Sequence, residues 1–350
     1  MSYNKMCSVQ MGCQGLDKPA DSVILIQTAL EACMKRILLF PIAAIIAVLA
    51  VTGCEKPLPE GLKGEIAFIS SMDNDGAFDI YVISLPSKEI RQLTHTEGRG
   101  IENVWLDWCL AGPIAFASTR DGNYEIYMIN PDGSGEVRLT ENDYDDFYPT
   151  LRWDGKMVAF SSSVATKKGP PQKDIFIMDI ATRKTKRITK TPEDEIALNW
   201  SPDGKKIAYS KYVRGQPDIF ILDLATKTST RITYSPGEDL NPVWTSDSKY
   251  LVFSSDRTDT VNVAGERLYS IFTVDAEGKT PPELLIHKEK YTMGSPSISP
   301  DNKWIAYQFK RVDWNWMYIG IRSTTNPKES YTLVKNIYFN RNPVWKPTLD

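Results

Sequence analysis

The chain has 350 residues, 42% hydrophobic and 24% charged, enough for one large or two ordinary domains around a real core. Its formal net charge of −3 gives no basic field for nucleic acid, so no nucleic-acid partner is expected. The 22 prolines and 21 glycines are spread along the chain among 11% aromatics, which predicts many short strands joined by turns rather than a helical bundle.

In chain order, residues 35–54 read KRILLFPIAAIIAVLAVTGC. Lys35 and Arg36 form a basic n-region, an apolar stretch follows to Val51, and Met34 stands just before them. The stretch ends in Val51-Thr52-Gly53-Cys54, which resembles a bacterial lipobox. Small residues there let a signal peptidase approach, and the thiol of Cys54 takes the lipid. Residues 34–54 are therefore expected to be a lipoprotein signal peptide; the alternative is an uncleaved anchor helix. A signal should start near its n-region, so residues 1–33 are expected to be an over-extended start or a disordered preface. Maturation at Cys54 would remove Cys7, Cys13 and Cys33 and leave Cys109 alone, with no intramolecular disulfide to form. Glu55 follows the lipidated position; by resemblance to lipoprotein sorting in enterobacteria, this favours the outer membrane. Residues 55–62 read as a short Pro-rich tether, and 63–350 as the folded domain.

From Gly64 onward four strings repeat. One contains IAF, VAF, IAY or LVF, as in 64–70, 112–118, 156–162, 205–211, 249–255 and 303–309. A second resembles DIYVIS (79–84), a third RQLT (91–94), and a fourth NPVW (241–244). Each is short, β-branched or aromatic, and bounded by turn residues, so each is a predicted strand. The fourth string is read at 103–105, 148–153, 197–200, 241–244, 295–299 and 342–345. No such strand precedes Gly64, yet one ends the chain around Trp345. A closed ring pairs that last strand with the first blade and removes exposed edges. The expected fold is an all-β, six-bladed β-propeller with four antiparallel strands per blade.

The segments NWSPDGKKIAYSKYVRGQPDIFILDLATKTSTRIT (199–233) and PVWTSDSKYLVFSSDR (242–257) resemble the TolB-like propeller repeat. The resemblance covers 63–350 and implies the fold. TolB carries an additional N-terminal α/β domain, for which there is no room between Cys54 and Gly64, so its role in the Tol–Pal system does not transfer intact.

The recurring Ser-Pro-Asp phrase at 201–203 and 299–301 is a turn between two strands: Pro at the second position and Gly204 at the fourth suit a type I turn. Trp200, Trp244 and Trp345 share one slot and are expected between blades; Phe116, Phe160, Tyr209, Phe253 and Tyr307 are expected core. With His95 and His287 as its only histidines and no G-x-S-x-G elbow, the chain offers neither a hydrolytic triad nor a histidine metal site. Oligogalacturonate lyase is similar in propeller class, but uses a histidine cluster that this chain cannot supply. No cofactor is expected; the alternative is Ca2+ in the channel or at Asp73 and Asp75, where DNDGAFD has Ser84 in place of the twelfth-position Glu of an EF-hand.

The loops entering each fourth-string strand do not repeat. They are expected around one mouth of the channel, with acid clusters at Asp145 and Asp146, at Glu193, Asp194 and Glu195, and at Glu238 and Asp239. Tyr144 and Tyr148 accompany them, Arg99 and Arg341 flank the ring closure, and Trp314 lies close to Trp316 on a neighbouring loop. Expected partner-binding residues are Arg99, Tyr144, Asp145, Asp146, Tyr148, Glu195, Glu238, Asp239, Trp314 and Arg341.

The expectation is a non-catalytic, monomeric envelope protein, anchored through lipid on Cys54, facing the periplasm or the outside and engaging a protein or peptide. Two alternatives stand beside it: an enzyme acting on a glycan or peptidoglycan through channel carboxylates, and a passive structural or sensor propeller.

Overall fold

The computed structural model describes residues 56–72, 77–98, 100–166, 170–258, 261, 265–336 and 338–348. The signal segment with Cys54, the preface 1–33, Asp73, Asp75 and Arg99 lie outside the described residues. Residues 56–59 carry no regular structure; the unit beginning at Glu60 is all strand and turn. Among the described residues no helix is long and apolar enough to cross a membrane.

Twenty-four strands form six four-stranded antiparallel sheets. Five sheets run consecutively along the chain, from Asn103–Trp108 in the second blade to Ser330–Val334 in the sixth. The first blade is composite: Asn340–Trp345 pairs with Gly64–Ser70, placing Trp345 opposite Ile66 and Val344 opposite Ala67. The innermost strands touch in sequence around a closed ring, Asn340–Trp345 meeting both Tyr291–Ile298 and Asn103–Trp108.

Five of the six blades are held by a cross-strand aromatic pair. Phe68–Tyr81, Phe116–Tyr127, Phe160–Phe176, Tyr209–Phe220 and Phe253–Phe272 lie at centroid separations of 5.8, 5.6, 5.9, 5.8 and 6.0 Å. The sixth blade differs: Tyr307 faces Gly320, and a Cβ there would stand 2.9 Å from Phe309 Cε1. Phe309 fills the space that an aromatic occupies in the other five.

A second brace recurs in four blades. The hydroxyls of Thr94, Thr140, Thr189 and Thr233 each accept the N–H of the residue fourteen positions earlier, Ile80, Ile126, Ile175 and Ile219. Beside each isoleucine is a buried acid, Asp79, Glu125, Asp174 or Asp218. Arg138, Arg187 and Arg231 neutralise the last three, satisfying the condition for burying a carboxylate.

Two strands depart from expectation. In the second blade the innermost strand runs to Trp108, so Trp108, not Trp105, takes the place of Trp200. In the third blade it is Asp146–Leu151, which leaves Trp153 on a turn, 49% exposed.

Candidate functional site: the channel and its loop face

Every innermost strand carries a β-bulge at the same place, where pairing with the second strand slips. At each bulge a non-glycine residue adopts left-handed φ between 46° and 55°: Trp105, Tyr148, Ala197, Asn241, Ser295 and Asn342. Such conformations are costly for L residues and persist only where surrounding structure imposes them. Repetition in six blades assigns the bulge to architecture.

Beyond the bulge, polar side chains link neighbouring blades along the channel wall. Asp107 accepts from the Leu151 N–H at 2.7 Å and the Thr150 hydroxyl at 3.2 Å. Thr150 Oγ1 accepts from the Trp200 N–H, Asn199 Oδ1 from the Trp244 N–H, and Ser297 Oγ from the Trp345 N–H, at 3.0, 3.0 and 2.9 Å. Trp200, Trp244 and Trp345 are buried between these blades. The cavity so enclosed is 460 Å3 and runs from the bulges toward the turn face, with Cys109, Ser246, Pro300 and Pro347 on its lining. Asp107 is the one acid on that wall among the described residues, and burial pushes its carboxyl up to about 6. Cys109 is buried against the Arg152 and Trp153 carbonyls, and burial raises its thiol to about 11, so it is not an activated nucleophile.

At the opposite end lies the loop face, where the structure divides the expected acids. Asp146, Glu195 and Asp239 are fully buried first residues of innermost strands, which corrects their expected place on the mouth. Asp239 binds Arg257 at 2.6 Å, Asp146 accepts from the Asn142 amide at 2.9 Å, and Glu195 accepts from the Thr189 and Thr191 hydroxyls. Burial raises Asp146 to about 6 and Glu195 to about 7. The physical reason is strand alternation: in each cluster the last acid begins the strand and turns inward.

The remaining acids are partnered by residues of neighbouring strands and loops. Asp145 accepts from the Tyr124 N–H at 3.0 Å, and Glu238 from the Tyr269 hydroxyl. Asp194 pairs with Lys173 and Glu193 with Lys211, both at 3.1 Å. Arg341 lies 4.1 Å above the Phe78 ring, with Nε and Nη2 buried and without hydrogen-bond partners. Burial holds its pKa below the usual arginine value, while the Glu102 carboxylate opposes that shift.

Aromatic side chains stand on this face among exposed charged residues such as Glu141, Asp143, Lys190 and Lys288. Tyr148 packs on Trp105 at 4.5 Å and Trp314 on Tyr318 at 4.9 Å, while Trp316 stacks on Trp314 at 6.2 Å. Tyr144, Tyr234 and Phe339 stand out at 45%, 72% and 45% exposure, joined by Tyr212 at the end of a second strand. Tyr212, Tyr234 and Asp107 were not singled out in the sequence. The tyrosines sit at positions that do not repeat between blades, a signal available from aligning the copies. Asp107 had no such signal, because its partners are 43 and 44 positions away. Among the described residues no group of three or more His, Cys, Asp or Glu is placed to hold a metal ion.

Comparison with known proteins agrees with this architecture. The family model of the Tricorn protease N-terminal beta propeller domain matches residues 170–320. An uncharacterized Agrobacterium fabrum protein is 32% identical over 145 residues, covering 39% of this chain and 48% of its own. A TolB homolog of Chlorobium luteolum is 27% identical over 129 residues, 35% of this chain and 28% of its own. This chain thus spans less than half the length of these curated relatives. The crystal structure of TolB from Acinetobacter baumannii superposes with a TM-score of 0.65 at 18% identity, covering 86% of this chain and 70% of that one. The repeats, the ring of blades and these likenesses together define the chain as a TolB-like six-bladed β-propeller.

Proposed function

We propose that this protein is a non-catalytic binding protein of the bacterial envelope, anchored by lipid at Cys54, whose loop face engages a protein or peptide partner. The observation that carries the proposal is the set of exposed aromatics on that face, Tyr144, Tyr212, Tyr234 and Phe339. Aromatic residues supply large contact area at low entropic cost and are enriched where proteins bind each other. Likeness to TolB and the lipobox-like sequence before Cys54 support the envelope setting. Asp145, Glu193, Asp194 and Glu238 are already partnered, so this reading rests recognition on aromatic contact more than on those acids. The glycan-cleaving alternative needs two facing carboxylates, and the channel wall offers Asp107, already engaged by Leu151 and Thr150.

The test is site-specific photo-crosslinking in cells, with the reactive group at position 144 or 339 on the loop face and at 250 on the turn face. Discrete envelope adducts are expected at 144 and 339 and not at 250. Replacing Tyr144, Tyr212 and Phe339 together by Ser should weaken capture of that adduct partner at least about tenfold, since contacts of this kind exceed about 1.4 kcal/mol. Adducts confined to position 250, or undiminished capture by the triple variant, would move the site off this face.

A further inference from the structure

One position breaks the pattern of the six blade interfaces. The residue just before each bulge pairs with the second strand of its own blade. In order these are Val104, Phe147, Ile196, Leu240, Gly294 and Arg341. Five of the six carry a side chain at this position; the sixth blade, packed against the fifth, carries glycine. Glycine is not demanded there by crowding, since a Cβ would meet nothing closer than 3.5 Å, and its φ is not left-handed. The consequence is a cavity of 270 Å3 between the two blades.

The chemistry of its walls is specific. Leu240, Met293, Met317 and Tyr269 supply apolar sides, and no charged residue lines it. The buried Ser254 hydroxyl, which has no hydrogen-bond partner, would lie 3.7 Å from a Cβ at 294. Asn241, Thr292 and Gln308 are the other polar groups, and Gln308 is the one whose amide faces Gly294. Its Oε1 accepts from the Asn342 N–H at 2.9 Å, which fixes the amide and turns Nε2 toward Gly294. A fixed N–H donor asks for an acceptor, and a wall without charge asks for a neutral one, because an unpaired ion is expensive to desolvate. The Ser254 hydroxyl can accept in return.

We propose that this cavity is a socket for a primary carboxamide on an apolar stem, the side chain of a glutamine or asparagine from the segment bound at the loop face. The partner's carboxamide fills the space beside Gly294 that a longer side chain at that position would occupy. Its C=O accepts from Gln308 Nε2 and its NH2 donates to Ser254 Oγ. The assignment rests on the loop-face reading for the source of the side chain, and on the cavity alone for its chemistry.

The probe is propionamide, titrated into the protein carrying 13C-methyl methionine and observed at the Met293 and Met317 methyl signals. Saturable shifts are expected with a dissociation constant on the order of 10 mM, as suits five heavy atoms. Propionate and propylammonium should leave both signals in place at equal concentration. Gly294→Leu, which installs the residue that the fifth blade carries, should abolish the response. Gln308→Glu keeps an acceptor for Asn342 but removes the donor, and should abolish it with the cavity still open. Equal responses to all three probes, or a propionamide response surviving in either variant, would overturn the socket. Crosslinking at 144 and 339 separates the two levels. Adduct yield undiminished in Gly294→Leu would refute the inserted side chain and leave loop-face binding intact. Absence of adducts from the unaltered protein would refute loop-face binding, while the propionamide titration still decides the chemistry of the cavity.

Discussion

Asp107 ties the stability of the propeller to pH. Burial raises its carboxyl from 3.8 to about 6, so between those values the folded protein holds a proton that the unfolded chain has released. Its contribution is therefore most favourable at the acid end of that window and is lost as pH rises to about 6. The full effect is at most about 3 kcal/mol, at about 1.4 kcal/mol per pH unit of displacement. Asp146 and Glu195 act in the same direction, Glu195 over a window reaching about 7. Asp107→Asn keeps an acceptor for the Leu151 N–H and removes the buried charge. We expect it to raise the melting temperature at pH 7.5 and to flatten the decline between pH 4.5 and 6.5, measured by scanning calorimetry. A slope identical to that of the unaltered protein would assign the pH dependence to other groups. Asp107→Ala should instead lose about 1–3 kcal/mol, because it leaves the Leu151 N–H buried and unpaired. At this scale the sequence was a partial guide. Asp145 and Asp146 are adjacent and look alike, yet one faces its loop and the other is buried. Alternation along a strand separates them, and the strand's first residue must be known before the alternation can be applied.

At the scale of elements, the strand Asn340–Trp345 bears the most on integrity, because it gives Gly64–Ser70 its inner partner. Ending the chain at residue 339 removes buried Trp345 and the Ser70 hydroxyl's bond to Asn340 at 2.8 Å. Loss of a buried tryptophan alone costs about 3–5 kcal/mol, which places the fall in melting temperature on the order of 10 °C. The truncated chain should also self-associate, since Gly64–Ser70 becomes an open edge; light scattering and calorimetry read both effects. An unchanged melting temperature with a monomeric profile would show that closure does not depend on this strand. Most elements were legible, because apolar triplets bounded by turn residues recur in every copy. Boundaries were less so: the innermost strands begin in acid-rich segments that resemble loops, and the bulge breaks the alternation that would extend them upstream. The fourteen-residue link between isoleucine and threonine is a regular spacing that could also have been read.

At the scale of the whole molecule, function depends on where the ring is held and which face it turns outward. Cys54→Ser should move the protein from the membrane fraction to the soluble fraction, read by fractionation and by loss of incorporated labelled palmitate. Continued membrane retention would favour an anchor helix over a lipid. The sequence by itself determined the number of blades, the strands within them and the closing of the ring by the last strand. Those features are local patterns repeated in each copy, and repetition can be counted without knowing what lies beside what. Tertiary structure alone decided which acids reach solvent, which carboxyl lines the channel and which interface holds a cavity. Burial and pairing there depend on neighbouring blades, whose contacting residues lie 43 to 50 positions apart in the chain. Only the packing of blade against blade brings them within reach of one another.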